Sequence, residues 1–282
     1  MACWLLSGAD MDAAEFDRLV ARARNPRLIP GIYNYCDGRC PKCPFTQRCL
    51  TFLDTEELKA SGDDSRSVAD VVGESLRRTL EMLAEAARRD GFDLDALPGG
   101  TEEPAVEADL ERHRQDPLAV RARAYGHLAW RIGRAIAPIA AARDDAPLTE
   151  AVETIEWFSS MIGAKLYRAI CGHAEGWEGQ DEPQTDFNGS AKIALIGIGE
   201  SRRAWGVLME AGRATADGVP AQAVRMLEAL DAEVRERFPR VMEFVRPGFD
   251  DLAAGKGGAI TPPRCERTSE SPRSEPRGLS DE

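Results

Sequence analysis

The sequence predicts an all-α protein, a helical bundle of about six or seven helices with an N-terminal cysteine-rich loop. Apolar residues recur at helical spacing through most of the chain. No long stretch alternates apolar and polar residues, and β-branched residues are sparse, so strands are not expected. Four of the seven cysteines lie between residues 36 and 49, which predicts that the loop binds a metal.

The N-terminal half of the bundle is predicted from apolar faces and helix stop signals. Residues 12–24 place apolar side chains on one helical face, and Pro26 ends that helix. A short helix is expected to begin near Thr46. Residues 63–91 form a long helix for which Gly91 is a suitable C-cap. Its apolar stripe consists of Val68, Val71, Val72, Leu76, Leu80 and Leu83.

The C-terminal half contains the more apolar helices. A helix over residues 103–115 is followed by one with Asp116 as N-cap and Pro117 at its first position, which Pro138 is expected to kink or end. The next helix is expected to open at Thr149 and to be central, because apolar residues cover most of its circumference.

Two further helices complete the predicted bundle. One is expected to open near Asn188 or Ser190, and the last has Pro220 near its start. Gly163, Gly197 and Gly199 are expected to allow close approach between helices.

Three regions follow from these patterns. Residues 1–53 hold the first helix and the four-cysteine loop, and residues 54–253 form the bundle. Residues 254–282 are rich in Gly, Pro, Ser and charge, which predicts a disordered tail. A helix begins close to Met11, so Met1 and Met11 are both candidates for the start of the chain.

The net charge of −12 argues against general nucleic-acid binding and against binding to anionic membranes. No apolar run is long enough to span a membrane, and the N-terminal apolar run is too short for a secretory signal. We therefore expect a cytoplasmic protein with reduced thiols. Its redox or protein partner is not identified by the sequence.

The cysteine segment GIYNYCDGRCPKCPFTQRCLTF has the spacing C-x3-C-x2-C-x5-C, formed by Cys36, Cys40, Cys43 and Cys49. Four thiolates on a short loop suit a [4Fe–4S] cluster or a structural zinc ion. Zinc sites usually pair two C-x2-C knuckles across a longer spacer, so the compact spacing favours the cluster. Reduced structural or redox thiols are the third alternative.

The segment is also locally basic. An excess of positive charge would stabilise a thiolate–metal centre, whose net charge is negative. A solvated basic face and a docking patch for an anionic partner are the alternatives. Between residues 22 and 48 the charged residues are Arg22, Arg24, Arg27, Arg39, Lys42 and Arg48, against Asp37.

The part CPKCPFTQRC resembles the C-x2-C-x5-C ligand runs of SPASM auxiliary-cluster domains and of AddB-type and CRISPR-associated iron–sulfur nucleases. That resemblance covers about ten residues and implies Cys40, Cys43 and Cys49 as cluster ligands, whereas Cys36 is added by proximity. The wider segment is similar to uncharacterised bacterial proteins with an IYNYC...C..CPFT.RC signature. No resemblance to a family of known function extends over the whole chain.

Two related functions are excluded by the surrounding sequence. Cys36, Cys40 and Cys43 match the radical SAM cluster motif, but that fold needs repeated strand–helix units, and Lys42 replaces the usual aromatic residue. The nuclease function lacks its acidic and lysine motif. A di-iron bundle is also not expected, because no Glu-x-x-His pair occurs.

A second candidate site is a polar pocket within the bundle. Polar residues on the two most apolar helices could line it, and the Asn188-Gly189-Ser190 helix start with Lys192 could bind an anion. Ordinary surface charges and a simple helix cap are the alternatives. The candidate pocket residues are Glu156, Lys165, Arg168, Asn188 and Lys192.

The leading functional hypothesis is a cytoplasmic helical protein that binds a [4Fe–4S] cluster with a structural or electron-transfer role. The alternative is a non-enzymatic interaction or scaffold protein with a structural zinc site. No P-loop, nucleophile elbow or dinucleotide motif is present, and the sequence does not decide whether the protein is an enzyme.

Overall fold

The computed structural model describes residues 11–60, 67–94, 104–142, 144–174, 182–211 and 218–250. Within these ranges the chain forms eight α-helices and no strand, which confirms the all-α prediction. Met1 and the predicted tail, residues 254–282, lie outside the described residues. The side chains of Val68, Val71 and residues 104–107 are also outside the description.

Eight helices are one more than the upper number predicted. The short helix expected at Thr46 begins at Leu50, because Thr46–Arg48 forms a 3₁₀ turn. In chain order the helices are α1 (Ala13–Ala23), α2 (Leu50–Ala60), α3 (Val68–Asp90), α4 (Pro104–Arg114), α5 (Pro117–Ala142), α6 (Ala146–Ala174), α7 (Asp186–Glu210) and α8 (Val219–Arg237).

Several predicted helix ends are confirmed by local hydrogen bonds. The Asp116 carboxylate accepts from the Leu118 N–H at 2.9 Å, as an N-terminal cap should. Gly91 adopts the left-handed conformation with φ +68° and caps α3.

Three predicted boundaries differ from the structure. α5 continues past Pro138 to Ala142, so the proline does not end the helix. α6 begins before Thr149, and the Asp145 carboxylate accepts from the Leu148 N–H at 3.1 Å. α7 is capped by Thr185, whose side chain accepts from the Asn188 N–H.

The hydrophobic core lies among α5, α6, α7 and α8. α6 packs against both α5 and α7, which confirms its predicted central position. Ile155, Phe158, Ile162 and Leu166 on this helix are fully buried. Burying a large aliphatic or aromatic side chain contributes about 1.5–3 kcal/mol, so α6 supplies a large part of the folding free energy.

Two glycines allow the helices to approach closely. A Cβ at Gly126 would lie 2.3 Å from the Ser159 carbonyl oxygen, and one at Gly197 would lie 2.7 Å from Phe158. The prediction for Gly197 is therefore confirmed. Gly163 has no neighbouring heavy atom within 4 Å of an added Cβ, so it leaves open space instead of close packing.

The described helices include none that is both long enough and apolar enough to cross a bilayer.

Candidate metal centre

The cysteine segment folds as a closed loop of 3₁₀ turns. Ile32–Tyr35, Cys40–Lys42 and Thr46–Arg48 form these turns, and Gly31 and Gly38 adopt left-handed backbone with φ near +70°. The Ile29 N–H donates to the Arg48 carbonyl at 2.9 Å and joins the two ends of the loop. The glycines and prolines of the sequence thus bend the chain through tight turns, because such turns need left-handed or fixed backbone.

The four predicted cysteines line a single small cavity. Cys36, Cys40, Cys43 and Cys49 are half-buried free thiols around a volume of about 20 Å³. The remaining wall is mainly apolar and includes Ile32, Phe52 and Phe249. The cysteine spacing therefore identified four thiols that line one cavity. The apolar part of the wall includes Phe249, which is distant from the cysteines in the sequence.

The donor set fits a four-thiolate centre, but the sulfurs are not arranged around a bound ion. Among the described residues, no three His, Cys, Asp or Glu side chains stand close enough together to hold a metal ion. A zinc ion needs each sulfur at about 2.3 Å, and a cubane cluster needs more room than a single ion. Either occupant would thus require the four sulfurs to change their positions relative to one another.

Burial makes two of these thiols, Cys36 and Cys40, harder to ionise by raising the pKa of each. Burial raises the pKa of Cys36, and the nearby Asp37, Cys40 and Cys49 raise it further, while a Gly38 backbone hydrogen bond opposes this. Burial and the neighbouring Cys49 and Cys43 likewise raise the pKa of Cys40. A bound cation reverses this effect, since a metal-coordinated thiol loses its proton.

Two of the sulfurs form hydrogen bonds with the backbone, one as acceptor and one as donor. The Phe45 N–H donates to Cys43 Sγ at 3.4 Å, and the Cys36 thiol donates to the Tyr33 carbonyl at 3.5 Å. Hydrogen bonds to ligating sulfur stabilise its negative charge and help to set the potential of an iron–sulfur centre.

The predicted basic excess is partly neutralised by partners on other helices. Arg22 binds Asp54 and Glu57 of α2, and Lys42 binds Glu150 of α6. Arg39 donates to the Thr154 hydroxyl at 3.0 Å. Lys42 and Arg39 therefore attach the loop to α6, whereas Arg22 joins α1 to α2.

The loop is anchored to α6 and α7 through its backbone and one tyrosine. Trp157 Nε1 donates to the Asp37 carbonyl at 2.7 Å, and the indole lies 3.0 Å from where a Gly38 Cβ would stand. The Tyr35 hydroxyl donates to the Asp186 carboxylate at 2.9 Å. These contacts could not be predicted from local sequence patterns, because the partners lie more than a hundred residues apart.

A C-terminal segment, residues 244–250, forms the other side of the loop. Phe249 packs edge-on against Phe45 with ring centroids 5.1 Å apart. Gly248 has φ +78°, and a Cβ there would lie 2.8 Å from Ile29. Asp250 holds the segment in place by accepting from Arg246 and from Lys192.

The five predicted pocket residues do not share one cavity among those described here. Lys165 Nζ donates to the Asn34 carbonyl at 2.9 Å, and burial lowers its pKa while the nearby Cys36 raises it. Lys192 binds Asp250 and the Phe244 carbonyl, so the charge expected to bind an anion is already paired.

The other three candidates are held in different ways. Arg168 donates to both carboxylate oxygens of Asp186. The Asn188 amide donates to the Glu182 carbonyl at 3.3 Å, while its oxygen is buried without a partner. Glu156 likewise has one buried oxygen without a partner. A pocket formed by all five residues stays a prediction.

A separate cavity of about 600 Å³ lies between α4, α5 and α6. Small residues form part of its lining, including Gly126, Gly163 and Ala164, and Trp130 and Tyr167 supply aromatic rings. Arg114, Arg123 and His127 supply basic groups, opposed by Glu111. Among the residues that line this cavity, Gly163 was noted in the sequence, but it was expected to allow close approach between helices and not to border a cavity.

The fold and site define an all-α protein with a half-buried four-cysteine loop. Comparisons with protein-family models, with curated proteins and with solved structures gave no match.

Proposed function

We propose that the protein binds a [4Fe–4S] cluster through Cys36, Cys40, Cys43 and Cys49. The observation that supports this proposal best is that all four side chains line one cavity. Its apolar wall and the N–H donor to Cys43 are features that stabilise iron–sulfur centres.

The role proposed for the cluster is structural, with electron transfer as its alternative. Loop residues contact α6, α7 and the segment 244–250, so a cluster would fix three parts of the fold together. The half-buried cysteines keep the site near the surface, which an electron-transfer role needs. When bound, the cluster would supply one-electron chemistry, whereas the chain supplies ligands, N–H donors and an apolar wall.

A structural zinc site is the second candidate, favoured by the size of the cavity. A volume of about 20 Å³ is close to that of one water-sized sphere. A single ion therefore needs less additional room between the thiols than a cubane does. In this case the protein would be a helical interaction or scaffold protein.

Anaerobic purification with iron, sulfide and zinc analysis tests the proposal. Four irons and four sulfides per chain, with visible absorption, would support the cluster, whereas one zinc in a colourless protein would support the alternative. Protein without iron, sulfide or zinc would overturn both.

Cysteine variants identify the ligands. Cys40→Ser and Cys43→Ser should each lose most of the bound metal, because serine replaces a thiolate ligand. Cys171→Ser is the matched control, since Cys171 is also a half-buried free thiol but does not line the cavity. Full metal content in the Cys40 and Cys43 variants would refute the ligand assignment. A structural role further requires a lower thermal midpoint after metal removal.

The cavity between α4, α5 and α6 supports a second proposal, a small-molecule site within the bundle. Its volume of about 600 Å³ lies within the range typical of ligand pockets. Trp130 and Tyr167 can stack on a ring, and Arg123 and Arg114 can attract an anionic group. The ligand class proposed is therefore an aromatic anion.

A further inference from the structure

The cavity between α4, α5 and α6 is lined along one face of each long helix. Arg123, His127 and Trp130 line it from α5, and their spacing of four and three residues places them on one side of that helix. An added Cβ at Gly126 of α5 would stand 2.3 Å from the Ser159 carbonyl oxygen of α6. Both of these residues also line the cavity, so α5 and α6 touch along one side of it.

The charged groups of the cavity lie together at the C-terminus of α4. Glu111 and Arg114 form an ion pair at 3.4 Å, and Gln115 Nε2 donates to the Glu111 carboxylate at 2.7 Å. Arg123 of α5 reaches the same place, because its Nη2 donates to the Arg114 carbonyl at 2.6 Å. The Gln115 hydrogen bond lowers the pKa of Glu111, desolvation opposes this, and the two arginines lower it further.

This charged end has one positive charge in excess. Two arginines and one glutamate line it, with histidine counted as neutral. Arg114 is paired with Glu111, whereas Arg123 donates to a backbone carbonyl and forms no ion pair with any described carboxylate. A guanidinium has five N–H donors and binds carboxylates strongly. The unpaired charge of Arg123 therefore suits a ligand with a single negative charge.

Trp130 lies at the opposite end of the α5 wall. It follows Arg123 by seven residues, which at 1.5 Å per residue is a distance of about 10 Å along the helix axis. Both side chains lean towards the N-terminus of α5, so this separation is kept at their ends. The other aromatic residue, Tyr167, lies at the charged end, because its hydroxyl donates to the Leu110 carbonyl of α4 at 3.4 Å.

We propose that the cavity binds an elongated aromatic monocarboxylate, with its carboxylate on Arg123 and its ring on Trp130. This inference rests on the small-molecule site proposed above and adds the charge, the length and the orientation of the ligand. The ring and the carboxylate should be about 10 Å apart. In 6-phenylhexanoate six carbon–carbon bonds of about 1.5 Å join the ring to the carboxylate carbon, which spans roughly this distance. Phenylacetate is too short to reach both ends.

Isothermal titration calorimetry of the full chain with phenylalkanoates of increasing length tests the length. 6-Phenylhexanoate should bind at least about tenfold more tightly than phenylacetate, because only the longer acid reaches both Arg123 and Trp130. 10-Phenyldecanoate should bind no more tightly than 6-phenylhexanoate, since its ring extends past Trp130. Affinity that keeps rising with chain length would reflect apolar area alone and would overturn the proposal.

The charge is tested with 6-phenylhexanamide, which has the same shape and no charge. The acid should bind wild type about tenfold more tightly than the amide, and Arg123→Gln should remove this preference. Affinity for the amide should stay unchanged in Arg123→Gln, which separates the loss of a charge from a collapse of the cavity. Arg131→Gln is the matched control, because Arg131 is an exposed arginine of α5 that does not line the cavity.

The position of the ring is tested with Trp130→Ala, which should weaken 6-phenylhexanoate binding by about tenfold. Ile139→Ala replaces another exposed apolar residue of α5 outside the cavity and should bind like the wild type. An acid preference that survives Arg123→Gln, or wild-type affinity in Trp130→Ala, would overturn this orientation and leave the small-molecule site standing. If no acid binds, or if Gly163→Leu binds as tightly as the wild type, the site itself is wrong.

Discussion

Replacement of Asp250 by Asn removes the charge that holds the segment 244–250 beside the cysteine loop. The Asp250 carboxylate accepts from Lys192 Nζ at 2.8 Å and from the Arg246 side chain at 2.9 Å. It also accepts from the Arg246 backbone N–H at 2.9 Å. Asn keeps the size of the side chain but loses the charge that both cations need. The neighbouring Phe249 contacts the loop, so this change reaches the candidate metal centre.

The size of the effect follows from the pKa of Asp250. Burial alone would raise this pKa, but hydrogen bonds from Arg246 and Lys192 outweigh it and lower the pKa from 3.8 to about 2. One pKa unit corresponds to about 1.4 kcal/mol, so the ionised group contributes at most about 2.5 kcal/mol. The carboxylate is 25% exposed. Solvent screening therefore reduces the expected loss on Asp250→Asn to about 1–2 kcal/mol.

Urea unfolding as a function of pH measures this loss. Because folding lowers the pKa, the stabilisation is present above the unfolded-state pKa near 4 and is lost as the pH falls to about 2. The difference between wild type and Asp250→Asn should therefore be constant from pH 7 to pH 5 and should shrink below pH 4.

Glu243→Gln is the control for a change of charge alone. Glu243 pairs with Arg240 on the exposed surface, so its replacement should change the free energy of unfolding little. The reasoning about Asp250 is refuted if Asp250→Asn is as stable as the wild type at pH 7. A deficit that stays the same down to pH 2 would also refute it, because it would reflect shape instead of charge.

Two further substitutions test the loop anchor and the second cavity. Trp157→Phe removes the 2.7 Å hydrogen bond to the Asp37 carbonyl and should lower the free energy of unfolding in urea by about 1 kcal/mol. Trp130→Phe, which replaces an exposed tryptophan in the second cavity, is its control, and an equal loss from both would count against the anchor. The aromatic anion 8-anilinonaphthalene-1-sulfonate is the probe for the cavity between α4, α5 and α6, and its fluorescence should rise when it binds there. Gly163→Leu should fill this cavity and abolish that rise. Gly206→Leu places leucine at another open helical glycine outside the cavity, and a loss of dye binding in both variants would contradict the assignment.

The helices could be predicted because their signals are local. Period-3.6 apolar faces placed all of the long helices, and Asp116, Pro117 and Gly91 mark ends through hydrogen bonds or backbone angles set within a few residues. The start of α7 was misplaced because several residues there can cap a helix. Thr185 takes that position, while Asn188 is buried and bonded to the Glu182 carbonyl.

The inner part of the candidate site could be predicted and its surroundings could not. Cysteine spacing identified the four thiols, but Phe249 reaches their cavity from two hundred residues away. Lys165 was predicted to line a pocket, and its Nζ donates to the Asn34 carbonyl of the loop. This contact could not be predicted, because a lysine on an apolar helix has the same local pattern whether it lines a pocket or binds a carbonyl of a distant loop.

The way the loop is anchored determines what cysteine variants can report. Trp157 and Lys165 bind the carbonyl groups of Asp37 and Asn34, so these contacts fix backbone and are independent of the cysteine side chains. The Ile29–Arg48 backbone hydrogen bond closes the loop in the same way. A Cys→Ser substitution leaves all of these contacts in place. A large loss of stability in such a variant would therefore measure the contribution of a bound metal, whereas the loss of one half-buried sulfur atom alone would have a small effect.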